Sequence, residues 1–256
     1  MTAGANGNFT ATLLPPGNYT VLATAPGFGE TRAAAIAVRV TETTAINITL
    51  QPSGVSEKVE VSAQVVSVNT ENATTGQTIE EGVVTGLPLA TQNFQQLLTL
   101  STGASSSLNN SEQLGRGNVR INVNGQREDN NNYLIEGVSA TDYNIGELTN
   151  TPLPSPDVVQ EFKVQTSLYD ASQGRNGGGM VNAVLRSGTN EWHGDAFEFF
   201  RNNVLNANDF FLNRAVQPRP VLKQNIFGGS IGGPLGSEGK FGYIFGNYQG
   251  TIERYV

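Results

Sequence analysis

Apolar and polar residues alternate with a period of two along most of the chain, and a spacing of three and four is sustained in only one short stretch. Period two places successive side chains on opposite faces of a strand, while three-and-four spacing gathers them on one face of a helix. In residues 7–21, GNFTATLLPPGNYTV, two short β-runs flank Pro15-Pro16-Gly17-Asn18, whose preferred dihedrals suit a tight reversal. Tyr19, Val21 and Ala23 alternate with Thr20, Leu22 and Thr24, Pro26-Gly27 breaks the strand, and residues 34–40 and 44–50 alternate again. These runs predict a small partial β-sandwich. Gln51-Pro52-Ser53-Gly54 ends it, because proline supplies no ladder donor and glycine weakens a strand interior.

A connector, SEKVEVSA, follows with Val59 and Val61 on one face of an extended run and charge on the other. Farther on, Leu87-Pro88-Leu89-Ala90-Thr91 leads into residues 92–100. There Thr91 is placed to cap, and Phe94, Leu97 and Leu98 share a face of one short amphipathic helix. Val119, Ile121 and Val123 alternate with Arg120, Asn122 and Asn124. A polar tip at 125–132 then returns into YLIEGV, which predicts a hairpin with a long turn. Pro154-Ser155-Pro156-Asp157 precedes VVQEFKVQT, read as a helical turn and then a strand, and Gly177, Gly178 and Gly179 permit close backbone approach before a strand at 181–185.

Beyond Gly188 the strands change character. Phe197 and Phe199 lie opposite Gly194, Ala196 and Glu198. Phe227, Gly229 and Ile231 lie opposite Gly228, Ser230 and Gly232, and Phe241, Tyr243 and Phe245 lie opposite Gly242, Ile244 and Gly246. With the aromatic-rich set turned outward, segments of about ten residues of this kind fit strands of a transmembrane β-barrel. The long link at 202–224, with Pro218 and Pro220, reads as an outer loop and the short one at 234–240 as a periplasmic turn, so the first strand runs outward. Three strands cannot close, and an open edge in lipid leaves backbone groups unpaired at roughly several kcal/mol each. The expectation is therefore the front part of a larger protein whose further strands follow Val256.

Composition narrows the chemistry. With 30 Gly and 11 Pro among 256 residues, an all-helical fold is disfavoured. A net charge of -7 with no basic cluster excludes nucleic acid as a partner. The absence of Cys removes disulfides, thiol nucleophiles and zinc-thiolate sites. The Asn-x-Ser/Thr triplets at Asn8, Asn18, Asn47, Asn72 and Asn109 follow from an Asn- and Thr-rich composition. No apolar stretch approaches the roughly 20 residues of a membrane helix. Met1-Thr2-Ala3-Gly4 lacks the basic and apolar start of a signal peptide, which predicts a start inside a longer reading frame. The single histidine, His193, would have to serve any Ser-His-Asp triad, and its place between Trp192 and Asp195 at a strand start suits a rim position better. Residues 233–240 miss the phosphate-loop spacing by one residue, with Phe241 where Ser or Thr would be needed. Asp129-Asn130-Asn131-Asn132 lacks the glycine and distal Glu of a calcium loop. No catalytic, cofactor or metal residues emerge, so the chain is not expected to be an enzyme.

Three groups of phrases carry family resemblances. GNF, LPPGNY and APGF resemble the carboxypeptidase regulatory-like fold, a non-catalytic transthyretin-like sandwich whose opening strands would lie before Met1. LPLATQNFQQLLTL, VNGQREDNNNYLIEGV and VVQEFKVQTSLYDASQGRNGGGMVNAVLRSGTN, in this order, resemble the plug of TonB-dependent outer-membrane transporters, with Ser101-Thr102-Gly103 where that family more often has Pro-Gly. FRNNVLNANDFFLNR, QNIFGGSIGGPL and FGYIFGNYQG resemble the barrel start of their Oar-like subgroup, whose members also carry the N-terminal module.

The resemblance implies a mainly β protein with a mixed α+β plug. Residues 1–52 would be a partial transthyretin-like β-sandwich, 53–64 a coupling segment, 65–188 the plug domain, and 189–256 the first antiparallel strands of an incomplete transmembrane β-barrel. It also implies a location in the outer membrane with the N-terminal module in the periplasm, where the plug gates energised uptake. The partners would be the inner-membrane TonB complex, outer-membrane lipid and an unidentified ligand. Glu57, Lys58, Val59, Glu60 and Val61 resemble the coupling box, which a partner strand would capture by backbone pairing; the same run also suits a linker strand pairing within its own domain. Arg127, Asp129, Asn130, Asn131 and Asn132, with the 144–150 region, would face ligand. The rival reading is a cell-surface β-sandwich for binding or adhesion without transport, distinguished by whether residues 192–256 fold in water without detergent.

Overall fold

The structure, a computed structural model, describes residues 1–52, 60–61, 74–87, 89, 92–106, 121–142, 148, 154–169 and 176–255. In the N-terminal module β1 (Gly17–Ala23) and β2 (Thr31–Val38) form an antiparallel pair. A bulge lies between Tyr19 and Val21, and across it Ala35 adopts a left-handed φ of 59°. β3 (Glu60–Val61) adds in parallel against Arg32 and Ala33, giving the sheet order β1-β2-β3. Residues 7–14 and 44–50, expected as strands, are not in ladders; only an isolated bridge joins Phe28 to Pro52. Alternation permits a strand, but it becomes one only where a neighbour takes up its backbone N–H and C=O groups.

The middle domain, expected as the plug, is built on a five-stranded sheet of order β4-β9-β10-β7-β8. Its elements are β4 (Thr75–Glu80), helix α1 (Glu81–Gly86), β5 (Ala104–Ser106), β6 (Ile121–Val123), β7 (Asn132–Ile135), β8 (Val138–Ser139), β9 (Val159–Ser167) and β10 (Met180–Leu185). β9, which has a neighbour on each side, pairs antiparallel with both β4 and β10. Over it lies a 3-10 helix, Phe94–Leu100, which buries Phe94, Leu97 and Leu98 as their spacing demands. Its cap is Asn93, whose side chain accepts from the Gln95 N–H; Thr91 lies outside the described residues. The shared core joins these residues to Ile79, Val84, Ile121, Val123, Tyr133, Leu148, Phe162, Val164, Val181 and Ala183. As expected, a short helical turn at Pro156–Val158 precedes β9.

The expected hairpin between the 121 and 133 regions does not form. β6 pairs with β5 in a separate two-stranded sheet, and β7 runs parallel to β10. The glycines before β10 explain the preference. A side chain at Gly178 would lie 2.7 Å from the Asn130 carbonyl, and one at Gly179 would lie 2.7 Å from Val123. With only hydrogens there, the two backbones meet directly.

The chain then enters a third sheet of β11 (His193–Asn202), β12 (Leu222–Pro234) and β13 (Tyr243–Tyr255), antiparallel in that order. The long β11–β12 link carries a short helix, α2 (Phe210–Arg214), capped by Asp209. The register corrects two of the three expected facings. Asp195 pairs with Ser230, Phe197 with Gly228, and Ser230 with Asn247. Phe197 and Phe199 therefore share the polar face with Asp195, Ser230, Gln224, Asn247 and Glu253. Tyr243, Phe245 and Asn247 on that face line a cavity of about 1670 Å³ shared with the middle domain and the N-terminal module. Phe200, Phe227, Ile231, Ile244, Tyr248 and Ile252 form the opposite, outward face, where Ile231 is 61% and Tyr248 65% exposed. Aromaticity alone misplaced β11 and β13, because rings also pack inward over glycines. Phe241, assigned to the third run, precedes the strand. No helix among the described residues is long and apolar enough to cross a membrane.

Candidate functional site

The loop at 127–132, expected to face ligand, divides into two parts. Arg127 and Asp129 form an exposed ion pair at 2.9 Å, and Asp129 Oδ1 accepts no hydrogen bond. Asn130 lies with them in a short 3-10 turn, Glu128–Asn130. Asn131 and Asn132, expected to face ligand, are instead buried parts of the scaffold. Asn131 donates to the carbonyls of Ile121 and Glu128 at 2.6 and 3.2 Å, and its Oδ1 accepts the Gly179 N–H at 2.8 Å. Asn132 Oδ1 accepts from Thr141 at 2.9 Å, and Asn132 N–H donates to the Gly179 carbonyl. An amide that satisfies several buried backbone groups at once is costly to withdraw. Arg127, Asp129 and Asn130 are thus the side chains of this group that are not buried, on a loop anchored to the glycine run behind it. Of the 144–150 region only Leu148 is described, and it is buried in the core.

Of the expected coupling segment, Glu57, Lys58 and Val59 lie outside the described residues. Glu60 and Val61 form β3, paired in parallel with β2, so this part of the segment joins the sheet of its own module. Among the described residues β3 has a neighbour on one side only. His193 opens β11 with its ring stacked on Phe245 and Nδ1 3.0 Å from the Glu191 carbonyl, at the sheet's base. Residues 233–240 form the turn into β13, with left-handed Gly236 and Gly239. Among the described residues no cluster of His, Cys, Asp or Glu could hold a metal ion.

Sequence reasoning missed a charged face of β9. Glu161 and Lys163 alternate with core-facing Phe162 and Val164, and both are buried. The alternation E-F-K-V was the available signal, since in a central strand it must bury charge on one side. Burial is the main cause that raises the Glu161 carboxyl above its usual 4.5; the Val40 N–H and Arg39 oppose it, while Glu42 and Glu80 add to it. Asp157, at the start of β9, is also raised, chiefly by burial, with Ser155 opposing and Asp195 of the third sheet adding to it. A carboxyl raised in the fold binds its proton more tightly there than in the unfolded chain, so its contribution to stability is lost as pH climbs through the window above the ordinary value. Glu161→Gln should therefore match wild type below about pH 4.5 and gain on it toward neutrality. Denaturant midpoints across that range check this, and a pH-independent gap would refute it.

Residues 1–51 match a family model described as a carboxypeptidase regulatory-like domain, and residues 184–255 one described as an outer membrane beta barrel domain. The TonB-dependent transporter Oar of Myxococcus xanthus is 28% identical over 243 residues, 90% of this chain. The chain is a homologue of that transporter. It spans 22% of that relative's length. Partial overlays exist with the siderophore receptor PirA of Acinetobacter baumannii (19% identity, TM-score 0.47, 68% of this chain and 24% of that one) and the outer membrane transporter YddB of Escherichia coli (18%, 0.47, 61% and 24%). At those scores the overlays decide nothing by themselves. For this transporter homologue the outer membrane is the location, and the third sheet, which has one apolar and one polar face, lies within the stretch that matches the barrel model.

Proposed function

We propose that the chain is the gating front of an energised outer-membrane transporter. In this reading the plug closes the lumen of a β-barrel, ligand meets the loop of Arg127, Asp129 and Asn130 from outside, and the inner-membrane TonB complex pulls on residues 57–61 from the periplasm, where the N-terminal module lies. The observation that carries the reading is the join between plug and wall. β10, paired with β9, leads through residues 186–192 into β11. At Gly188 this connection lies so close to the wall that an added side chain would be 2.8 Å from the Gly233 carbonyl. A plug fastened at one end to the barrel wall and at the other to an extended segment can be drawn from the second while the first holds. The coupling role suits a short strand, because capture by backbone pairing needs no particular side chain. Deleting residues 59–61 in the full-length protein is expected to abolish uptake while ligand binding at the cell surface stays at the wild-type level. Unchanged uptake would reject the coupling role.

A further inference from the structure

The contact between the N-terminal module and the plug is not explained by blocking a lumen. Residues 39–42 directly follow β2 and lie on the charged face of β9. Lys163 Nζ pairs with Glu42 at 2.8 Å, and only 4% of the lysine side chain is exposed. The Val40 N–H donates to Glu161. Arg39 lies 2.8 Å from Glu80 and 3.8 Å from Glu161, and those two carboxylates stand directly opposite one another on β4 and β9. Like charges facing across a ladder push their strands apart, so the Arg39 guanidinium is the cation that lets β4 pair with β9. Gln160 adds a hydrogen bond to the Pro16 carbonyl at 2.8 Å.

The same turn is strained. Thr41 holds a left-handed φ of 55°, unfavourable for a β-branched residue, and its buried hydroxyl has no partner. The location matters as much as the strain, since β3 of the coupling segment hangs on β2, whose next residues make this contact.

We propose that residues 39–42 form a releasable clamp holding β4 and β9 of the plug together, so that drawing the N-terminal sheet away loosens the plug at β4. Docked, the turn neutralises Glu80 and Glu161 and pairs Lys163. Withdrawn, it leaves the Glu80 and Glu161 carboxylates facing one another across the ladder without their cation and Lys163 without Glu42, and like charges directly opposite one another destabilise a strand pair. The inference rests on the plug acting as a gate.

The test is amide hydrogen exchange on the full-length protein in outer-membrane vesicles. Arg39→Met is expected to speed exchange in β4 and β9 about tenfold or more and leave β11 to β13 unchanged, and adding Glu161→Gln should restore protection by removing one of the facing charges. Glu42→Lys, at a partly exposed position, should likewise loosen β9, and Lys163→Glu in the same chain should restore it. In wild type the Val40 amide should exchange at least about tenfold faster than that of Phe162, as a local opening does. Unchanged exchange in Arg39→Met, failure of both second substitutions to rescue, or equal rates at Val40 and Phe162 would each overturn the clamp. None of these readouts involves uptake, so their failure leaves the transporter reading standing, which the deletion of residues 59–61 tests separately.

Discussion

Phe162→Ala should open the plug. Phe162 is fully buried on β9, and its ring meets that of Phe94 on the 3-10 helix, centroid to centroid, at 5.6 Å. Truncating a buried phenylalanine costs about 3–5 kcal/mol, from lost transfer energy and the cavity left behind. This site has little room to collapse, since backbone ladders on both sides fix β9. In the full-length protein the amides of β9 and β10 should exchange at least about a hundredfold faster, with β11 to β13 unaffected. Leu100, on the same helix but 48% exposed, gives the contrast: Leu100→Ala should change stability by no more than about 0.5 kcal/mol. Equal effects at the two positions would mean that the helix does not cover β9 as its contacts indicate.

The periodicities that placed β9 and this helix were legible because both elements bury one face and expose the other to something different. Phe94, Leu97 and Leu98 report a helix face whatever the helix type, and the short amphipathic helix expected there is a 3-10 helix. Pairing was less legible. The alternation around Ile121 and Tyr133 identified strands but not their neighbours, because a hairpin and two strands in different sheets share the same local pattern. What decides between them is a distant glycine run that lets β10 take β7 as a parallel partner. Residues 44–50 show the converse, a strand pattern with no ladder to join.

The candidate site was legible by loop, not by side chain. Of the polar tip at 125–132, residues 125–131 lie in the connection between β6 and β7, yet Asn131, and Asn132 at the start of β7, serve the backbone behind them. Asparagine reads identically in sequence whether its amide faces solvent or a buried carbonyl, so composition cannot separate the two. Charge on β9 was hidden for a related reason. Glu161 and Lys163 look like the solvated face of a strand, and only the turn at 39–42, more than a hundred residues earlier, turns that face into an interior.

Gly228→Val should prevent the third sheet from forming. Rings lie over glycines across this sheet: Phe197 over Gly228, Phe245 over Gly232, Trp192 over Gly233 and Phe227 over Gly250. A side chain at Gly228 would run into the Tyr248 carbonyl and lie 2.7 Å from Phe197 Cζ. Overpacking costs about 1–3 kcal/mol where side chains can yield. Here the first obstacle is backbone, so β12 and β13 must part, and each ladder group freed in lipid costs roughly several kcal/mol more. The full-length variant should fail to give the compact, heat-modifiable band of a folded barrel on an unboiled gel. Gly246→Ala is the control, since nothing lies within 4 Å of a side chain there, and its band should match wild type. A normal band from Gly228→Val would show that β12 and β13 tolerate separation, and with it the close glycine-and-ring pairing would lose its role in setting the register that puts Ile231, Tyr248 and Ile252 toward lipid.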